Sequence, residues 1–270
     1  MALTLGSGPF GKLATKAVNF EIEGPKHLLL FEDYPRRMRA VLGGETIADT
    51  ERAKLLYESN IPPVLYLPRD DLLPGVAEPT SHTTHCPFKG DAAYWSLRVG
   101  ERVAENAVWG YPEPGERARW LEGYVSIYWD AVDGWIQEDE PVVGRLRDPY
   151  HRVDVLSSSR RVRVLAGGEP LAETTRPKLL CETSLPVRYY IPREDVHADR
   201  LTPTETVSHC PYKGAASYWS VSAGGDLLPD VAWGYSEPLR EAAAVRDHIS
   251  FLGEGIEIEV EHAAGVAAPA

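Results

Sequence analysis

His85-Cys86-Pro87-Phe88-Lys89-Gly90 stands a second time in the chain as His209-Cys210-Pro211-Tyr212-Lys213-Gly214. Working outward, Arg36-Arg37-Met38-Arg39 recurs as Arg160-Arg161-Val162-Arg163, Gly43-Gly44-Glu45 as Gly167-Gly168-Glu169, and Trp109-Gly110-Tyr111 as Trp233-Gly234-Tyr235. Every pair is separated by 124 residues, and no gap is needed between residues 27 and 114. A fixed self-match over that span is a duplicated domain rather than an array of short repeats. It also supplies an internal comparison: what both halves kept can be set apart from what one half lost.

A length of 270 residues suffices for two domains with their own cores. The hydrophobic and charged fractions, 43% and 25%, are those of a soluble globular protein. A formal net charge of −12 argues against a nucleic-acid partner, which needs clustered Lys and Arg. The basic patch Arg36 to Arg39 is either an anion site or a solvated strand end. Met1 to Phe20 contains no apolar run of secretory or spanning length, and no later segment reaches spanning length. Three widely separated cysteines form no disulfide framework, so a reducing cytoplasm is the expected home. Ala263 to Ala270 reads as a disordered tail.

Each half reads as short strands and tight turns. His27 to Phe31 and His151 to Val155 are first strands. The Gly43-Gly44 and Gly167-Gly168 pairs sit between apolar runs, as a type I′ hairpin requires. Pro62 to Pro68 and Pro186 to Pro192 are strands punctuated by proline. Tyr94 to Val99 turns at Gly100-Glu101 and returns to Trp109; Tyr218 to Ala223 turns at Gly224-Gly225. Pro238 to Asp247 reads as a short helix, with a weaker counterpart after Pro114. Two more strands close each half; in the last, Ile256, Ile258 and Val260 alternate with glutamates. The expectation is a mainly β chain of two small antiparallel domains, each with a short helix. An N-terminal extension covers 1–24, the first repeat 25–140, a linker 141–149 and the second repeat 150–262. The repeats are expected to pack with approximate two-fold symmetry, like a fused dimer, which makes a monomer plausible.

The chemistry concentrates in the repeated His-Cys-Pro segment. Cys86 and Cys210 become nucleophiles if a nearby cation favours the thiolate, and Lys89 and Lys213 follow three residues on. Glu58 and Glu182 are candidate acid–base or orienting groups. Arg69 and Arg193 suit forked recognition of a carboxylate or phosphate. His85 and His209 adjoin the cysteines, although neighbours on a strand face opposite ways. Tyr94, Trp95, Trp109 and Tyr111, with Tyr218, Trp219, Trp233 and Tyr235, can wall a pocket for a flat ligand. The structural alternatives stand beside these: buried cysteine packs as a small hydrophobe, and the aromatic set suits the core of a β domain. No paired Cys-x-x-Cys knuckles support a metal, and no cofactor is implied. Cys181 aligns with Tyr57 and His82 with Thr206, so neither is kept in both halves.

At the Gly-Gly-Glu hairpin, Tyr66-Leu67-Pro68-Arg69, Tyr190-Ile191-Pro192-Arg193, the His-Cys-Pro-x-Lys-Gly segment and Ala-x-Tyr-Trp-Ser at Ala92 to Ser96 and Ala216 to Ser220, the chain resembles domain-of-unknown-function family four hundred and twenty-seven in tandem form. Tyr128 to Trp135 fits in the first half only. The resemblance implies a small twisted fold similar to the β-tent, Mss-four-like group. Zinc-bearing members of that group use paired cysteines absent here, so no metal carries over. Some classifications label the family nucleotidyltransferase-like, but Gly6-Ser7-Gly8 has no spaced aspartates behind it, and Asp70-Asp71 falls in a turn. In the second half Ala215 replaces Asp91 and Asp230 replaces Asn106; Trp129 and Trp135 align with Gly253 and Glu259.

Three functions follow. The first is a small anionic metabolite bound in a pocket of each repeat. The second is a group-transfer or thiol enzyme using Cys86 and Cys210. The third is a protein-interaction module.

Overall fold

The computed structural model describes residues 27–59 and 61–261. The expected N-terminal extension, including Gly6-Ser7-Gly8, and the expected tail 263–270 lie outside the described residues. The chain divides between Asp148 and Pro149 into two compact units. No helix among the described residues is long and apolar enough to cross a membrane.

Among the described residues the first unit has eleven strands: β1 (Leu29–Asp33), β2 (Met38–Leu42), β3 (Glu45–Thr50), β4 (Lys54–Glu58), β5 (Ile61–Pro68), β6 (Ala77–Cys86), β7 (Gly90–Val99), β8 (Arg102–Gly110), β9 (Tyr124–Ile127), β10 (Gly134–Gln137) and β11 (Glu140–Pro141). The second has ten: β12 (Val153–Ser157), β13 (Arg161–Ala166), β14 (Glu169–Thr174), β15 (Lys178–Glu182), β16 (Arg188–Pro192), β17 (Leu201–Cys210), β18 (Gly214–Ala223), β19 (Asp226–Gly234), β20 (His248–Phe251) and β21 (Ile256–Glu261). Each unit holds a seven-stranded antiparallel sheet, ordered β1-β4-β5-β9-β8-β7-β6 in the first and β12-β15-β16-β20-β19-β18-β17 in the second. Each also holds a smaller antiparallel sheet, β11-β10-β2-β3 or β14-β13-β21. The small sheets begin at the glycine hairpins, where φ is +59° and +79° at Gly43 and Gly44 and +61° and +81° at Gly167 and Gly168. Both central residues are left-handed, as the type I′ reading demands.

Period-two alternation gives the large sheet two different faces. In the first unit Leu55, Tyr57, Leu65, Trp95, Leu97 and Val108 pack against Met38, Ala40, Leu42 and Ile47 of the small sheet. The intervening Leu56, Tyr66, Tyr94 and Tyr111 form a second core on the other face, under Ala118 and Leu121. The second unit repeats the plan, with Val162, Val164, Ile191, Val221 and Phe251 on one face and Leu180, Tyr190, Tyr235, Ala242 and Val245 on the other.

The structure refines the sequence reading at three places. The short helix expected within Pro238 to Asp247 is a six-residue 3₁₀ segment, Arg240–Val245, and its counterpart after Pro114, Glu116–Leu121, is equally long rather than weaker. Both lie over a sheet face and bury Ala118 and Leu121 or Ala242 and Val245 against it. The run before Cys86 is a ten-residue edge strand, β6, which the sequence reading did not assign. Its side chains are mostly exposed, so it lacks the apolar alternation that marks a strand. Finally, the constant offset holds through β9 and β20 but slips by one residue before the last strand. Trp135 pairs with Ala40, and the residue paired with Val164 is Ile258. Ile258, not Glu259, therefore stands where Trp135 does. The slip preserves the inward face, since a one-residue shift without it would turn every apolar side chain outward.

Candidate functional site

The site is built by the β6–β7 hairpin. Cys86 pairs with Gly90, and the turn between them carries Lys89. The Lys89 N–H donates to the Cys86 carbonyl at 3.2 Å, and the Lys89 carbonyl accepts from the Gly115 N–H at 2.9 Å. Gly90 has φ +103°, and a Cβ there would stand 3.3 Å from the Gly115 nitrogen and 3.4 Å from the Glu113 oxygen. The turn is thus clamped to the loop leading into the 3₁₀ segment. The copy has the same clamp: Lys213 N–H to Cys210, Leu239 N–H to Lys213, and φ +99° at Gly214.

The clamp sends the lysine over the inner sheet face. Lys89 Nζ donates to Glu58 Oε2, and His27 Nε2 lies 2.8 Å from Glu58 Oε1. In the second unit Lys213 Nζ donates to Glu182 Oε2, and His151 Nε2 lies 2.9 Å from Glu182 Oε1. The same atoms make the same bridge twice. The side chains of Lys89 and Glu58 are only 10% and 8% exposed, so each charge depends on the other. Burial pushes the Glu182 carboxyl up, but hydrogen bonds from His151 and Lys213 outweigh it and hold the group below the usual carboxylate range.

A phenol and a thiol complete the cluster. Lys89 Nζ lies 5.7 Å from the centre of the Tyr111 ring, and Cys86 packs in the same cluster as Tyr111. Burial first, then the neighbouring Cys86 and Glu58, push the Tyr111 phenol far above its usual range, so it stays protonated. Burial first, then Tyr111, does the same to Tyr66. In the second unit burial raises Tyr190 to about 12, against a hydrogen bond from Trp233 Nε1 at 3.1 Å, and Tyr235 is raised by burial and then by Tyr190 and Cys210. Cys86, Cys181 and Cys210 are free, half-buried thiols. Among the described residues no cluster of three or more His, Cys, Asp or Glu is placed to hold a metal ion.

The structure therefore brings together Cys86, Lys89, Glu58 and Tyr111, and likewise Cys210, Lys213, Glu182 and Tyr235. Tyr94 and Trp109 lie on the same face as cross-strand partners, with Trp109 packed on Tyr66 and on the exposed Tyr128. Tyr94 is anchored through Thr84, and Tyr218, the partner of Trp233, through Ser208. Trp95 and Arg69 do not join the site. Trp95 follows Tyr94 on β7 and so faces the opposite core, where the Arg69 guanidinium covers its ring at 4.9 Å. Trp219 and Arg193 do the same at 5.4 Å. His85 points outward and meets Asp91 at 2.6 Å on the exposed side; His209 faces Ala215 across the ladder and lacks that partner. Sequence reasoning missed three participants: His27 and His151, Tyr66 and Tyr190, and the rings of Phe88 and Tyr212, which lie on the imidazoles at 3.8 and 4.4 Å. Their recurrence at the 124-residue offset was the available signal.

Residues 30–138 and 154–262 each match the family model described as a domain of unknown function, DUF427. No curated protein matches the chain significantly.

Proposed function

The chain belongs to the DUF427 family, with two copies of its domain in one polypeptide, and from that premise we propose that each copy binds a small anionic metabolite, anchored by Lys89 in the first and Lys213 in the second. One observation carries this reading: the His–Glu–Lys bridge keeps its atoms in both copies, although a buried ion pair gives little stability over an apolar packing of the same size. A cation and an imidazole already face an anion there. An exposed ring on the hairpin turn, Phe88, covers the imidazole. On a chain of net charge −12, Lys89 and Lys213 are the cations this reading offers to an anion, which must compete with the paired glutamate for them.

The test is thermal unfolding of the protein with inorganic phosphate, pyrophosphate, small dicarboxylates and nucleotides. A ligand at a hundred times its Kd raises stability by about 2.7 kcal/mol. A saturable rise in Tm that disappears in Lys89→Met/Lys213→Met is the expected result; no rise across the panel, or a rise the double variant keeps, refutes the reading. The free, half-buried Cys86 thiol, packed beside Tyr111 at the turn that carries Lys89, favours a second reading, a cysteine nucleophile. In that case Cys86→Ala/Cys210→Ala abolishes turnover of the ligand found, whereas on the binding reading the ligand is bound and not consumed.

A further inference from the structure

We infer that the first repeat carries a second, separate site: an open-sided cavity across β6, β7 and β8 that takes a small zwitterion of amino-acid type. The cavity measures about 290 Å³, and its lining includes Glu78, Thr80, His82, Arg98, Glu105 and Asn106. That volume is at the small end for ligand pockets, which run from about 300 to 1,000 Å³, so the occupant is a small metabolite.

The cavity exists because two ladders break side by side. The register shifts between Pro79 and Thr83 on β6 and between Trp95 and Leu97 on β7. Asn106 closes the gap in a left-handed conformation, φ +49°, with its N–H on Ser96 Oγ at 3.0 Å and its side-chain oxygen accepting from Thr80 at 2.7 Å. Strained backbone of this kind persists only where the surroundings enforce it. The second repeat keeps the frame: shifts between Pro203 and Val207 and between Trp219 and Val221, φ +52° at Asp230, and Thr204 bonded to Asp230 at 2.6 Å.

It does not keep the lining. Thr202, Thr206, Ser222 and Pro229 stand at the places of Glu78, His82, Arg98 and Glu105. The frame is therefore inherited, while the arginine, the histidine and the carboxylates of Glu78 and Glu105 belong to the first copy, and the second carries Glu205 and Asp230 at the places of Ser81 and Asn106. Arg98 uses Nε on Glu78 at 2.9 Å and makes no other ion pair among the described residues; Glu105 makes none there. A guanidinium with terminal nitrogens in reserve and an uncommitted carboxylate on one small cavity match the two ends of a zwitterion. The His82 ring, 4.4 Å from Tyr94, supplies a flat wall between β6 and β7.

Isothermal titration of the full chain with the standard amino acids tests this, each binder being compared with its decarboxylated amine and its deaminated acid. The expected result is one site per chain, with both single-charge analogues about tenfold weaker or worse. Arg98→Ser, which installs the residue of the second repeat, and Glu105→Gln weaken it similarly, while Lys89→Met/Lys213→Met leaves it intact. Any of three results overturns the inference: no saturable heat at millimolar amino acid, two sites per chain, or an affinity unchanged in Arg98→Ser that folds normally by circular dichroism. The Lys89→Met/Lys213→Met arm keeps this outcome apart from that of the anion site.

Discussion

Within the bridge, Glu58 serves two partners and Lys89 one, so the two deletions are unequal. Glu58→Leu strips both Lys89 and His27 of their acceptor and should cost about 3–5 kcal/mol, the range for breaking a buried pair from one side. Lys89→Met leaves Glu58 with His27 and should cost less. Urea unfolding of the two variants checks the order, and equal losses would refute it. Acid adds a second readout in the copy. The Glu182 carboxyl is held below its ordinary value of 4.5 in the folded state, so the unfolded chain takes up that proton first. Its contribution is complete above that value and is lost as pH falls through the lower, folded one. The stability gap between the wild type and Glu182→Gln should therefore narrow below about pH 4.5; a gap that stays constant into stronger acid counts against the linkage.

The β6–β7 hairpin is the element that makes the site, because its turn alone decides where Lys89 points. Gly90→Ala forces a Cβ against Gly115 and Glu113 at a φ that side chains avoid. We expect a loss of about 1–3 kcal/mol together with faster alkylation of Cys86, as the unclamped turn uncovers the thiol. Gly44→Ala is the control: its φ of +79° is also left-handed, but nothing lies within 4 Å, so only the backbone term of about 1–2 kcal/mol applies and Cys86 labelling stays unchanged. Equal acceleration in both variants would mean that general loosening, not the clamp, controls access.

For the whole molecule, duplication means duplicated cores. The buried clusters of the second unit draw only on residues from Val153 onward, and those of the first only on residues up to Leu146. Residues 149–270 produced alone should therefore give a β-type circular dichroism spectrum and a cooperative urea transition. A molten or insoluble product would show that the second copy depends on the first. Divergence between the copies is also uneven at this scale. The bridge, its clamp and the glycine hairpin are held, whereas the outer ends of β6 to β8 and the last strand have changed.

The duplication, the β class, the hairpins and the cysteine–lysine–glutamate set were legible in the residues, because local turn chemistry and a constant offset need no tertiary information. The same offset marked His27, Tyr66 and Phe88 as retained but gave them no role, since nothing local says which strand lies beside which. Strand order decided that: β1, β4 and β5 lie side by side, and the β6–β7 turn is folded back on their inner face, which brings His27, Glu58, Tyr66 and Lys89 together. Strand parity decided the rest. Tyr94 and Trp95 are adjacent and equally aromatic, yet one faces the site and the other the core under Arg69. Facing is a property of the ladder register, and the register is fixed only when both partners are in place.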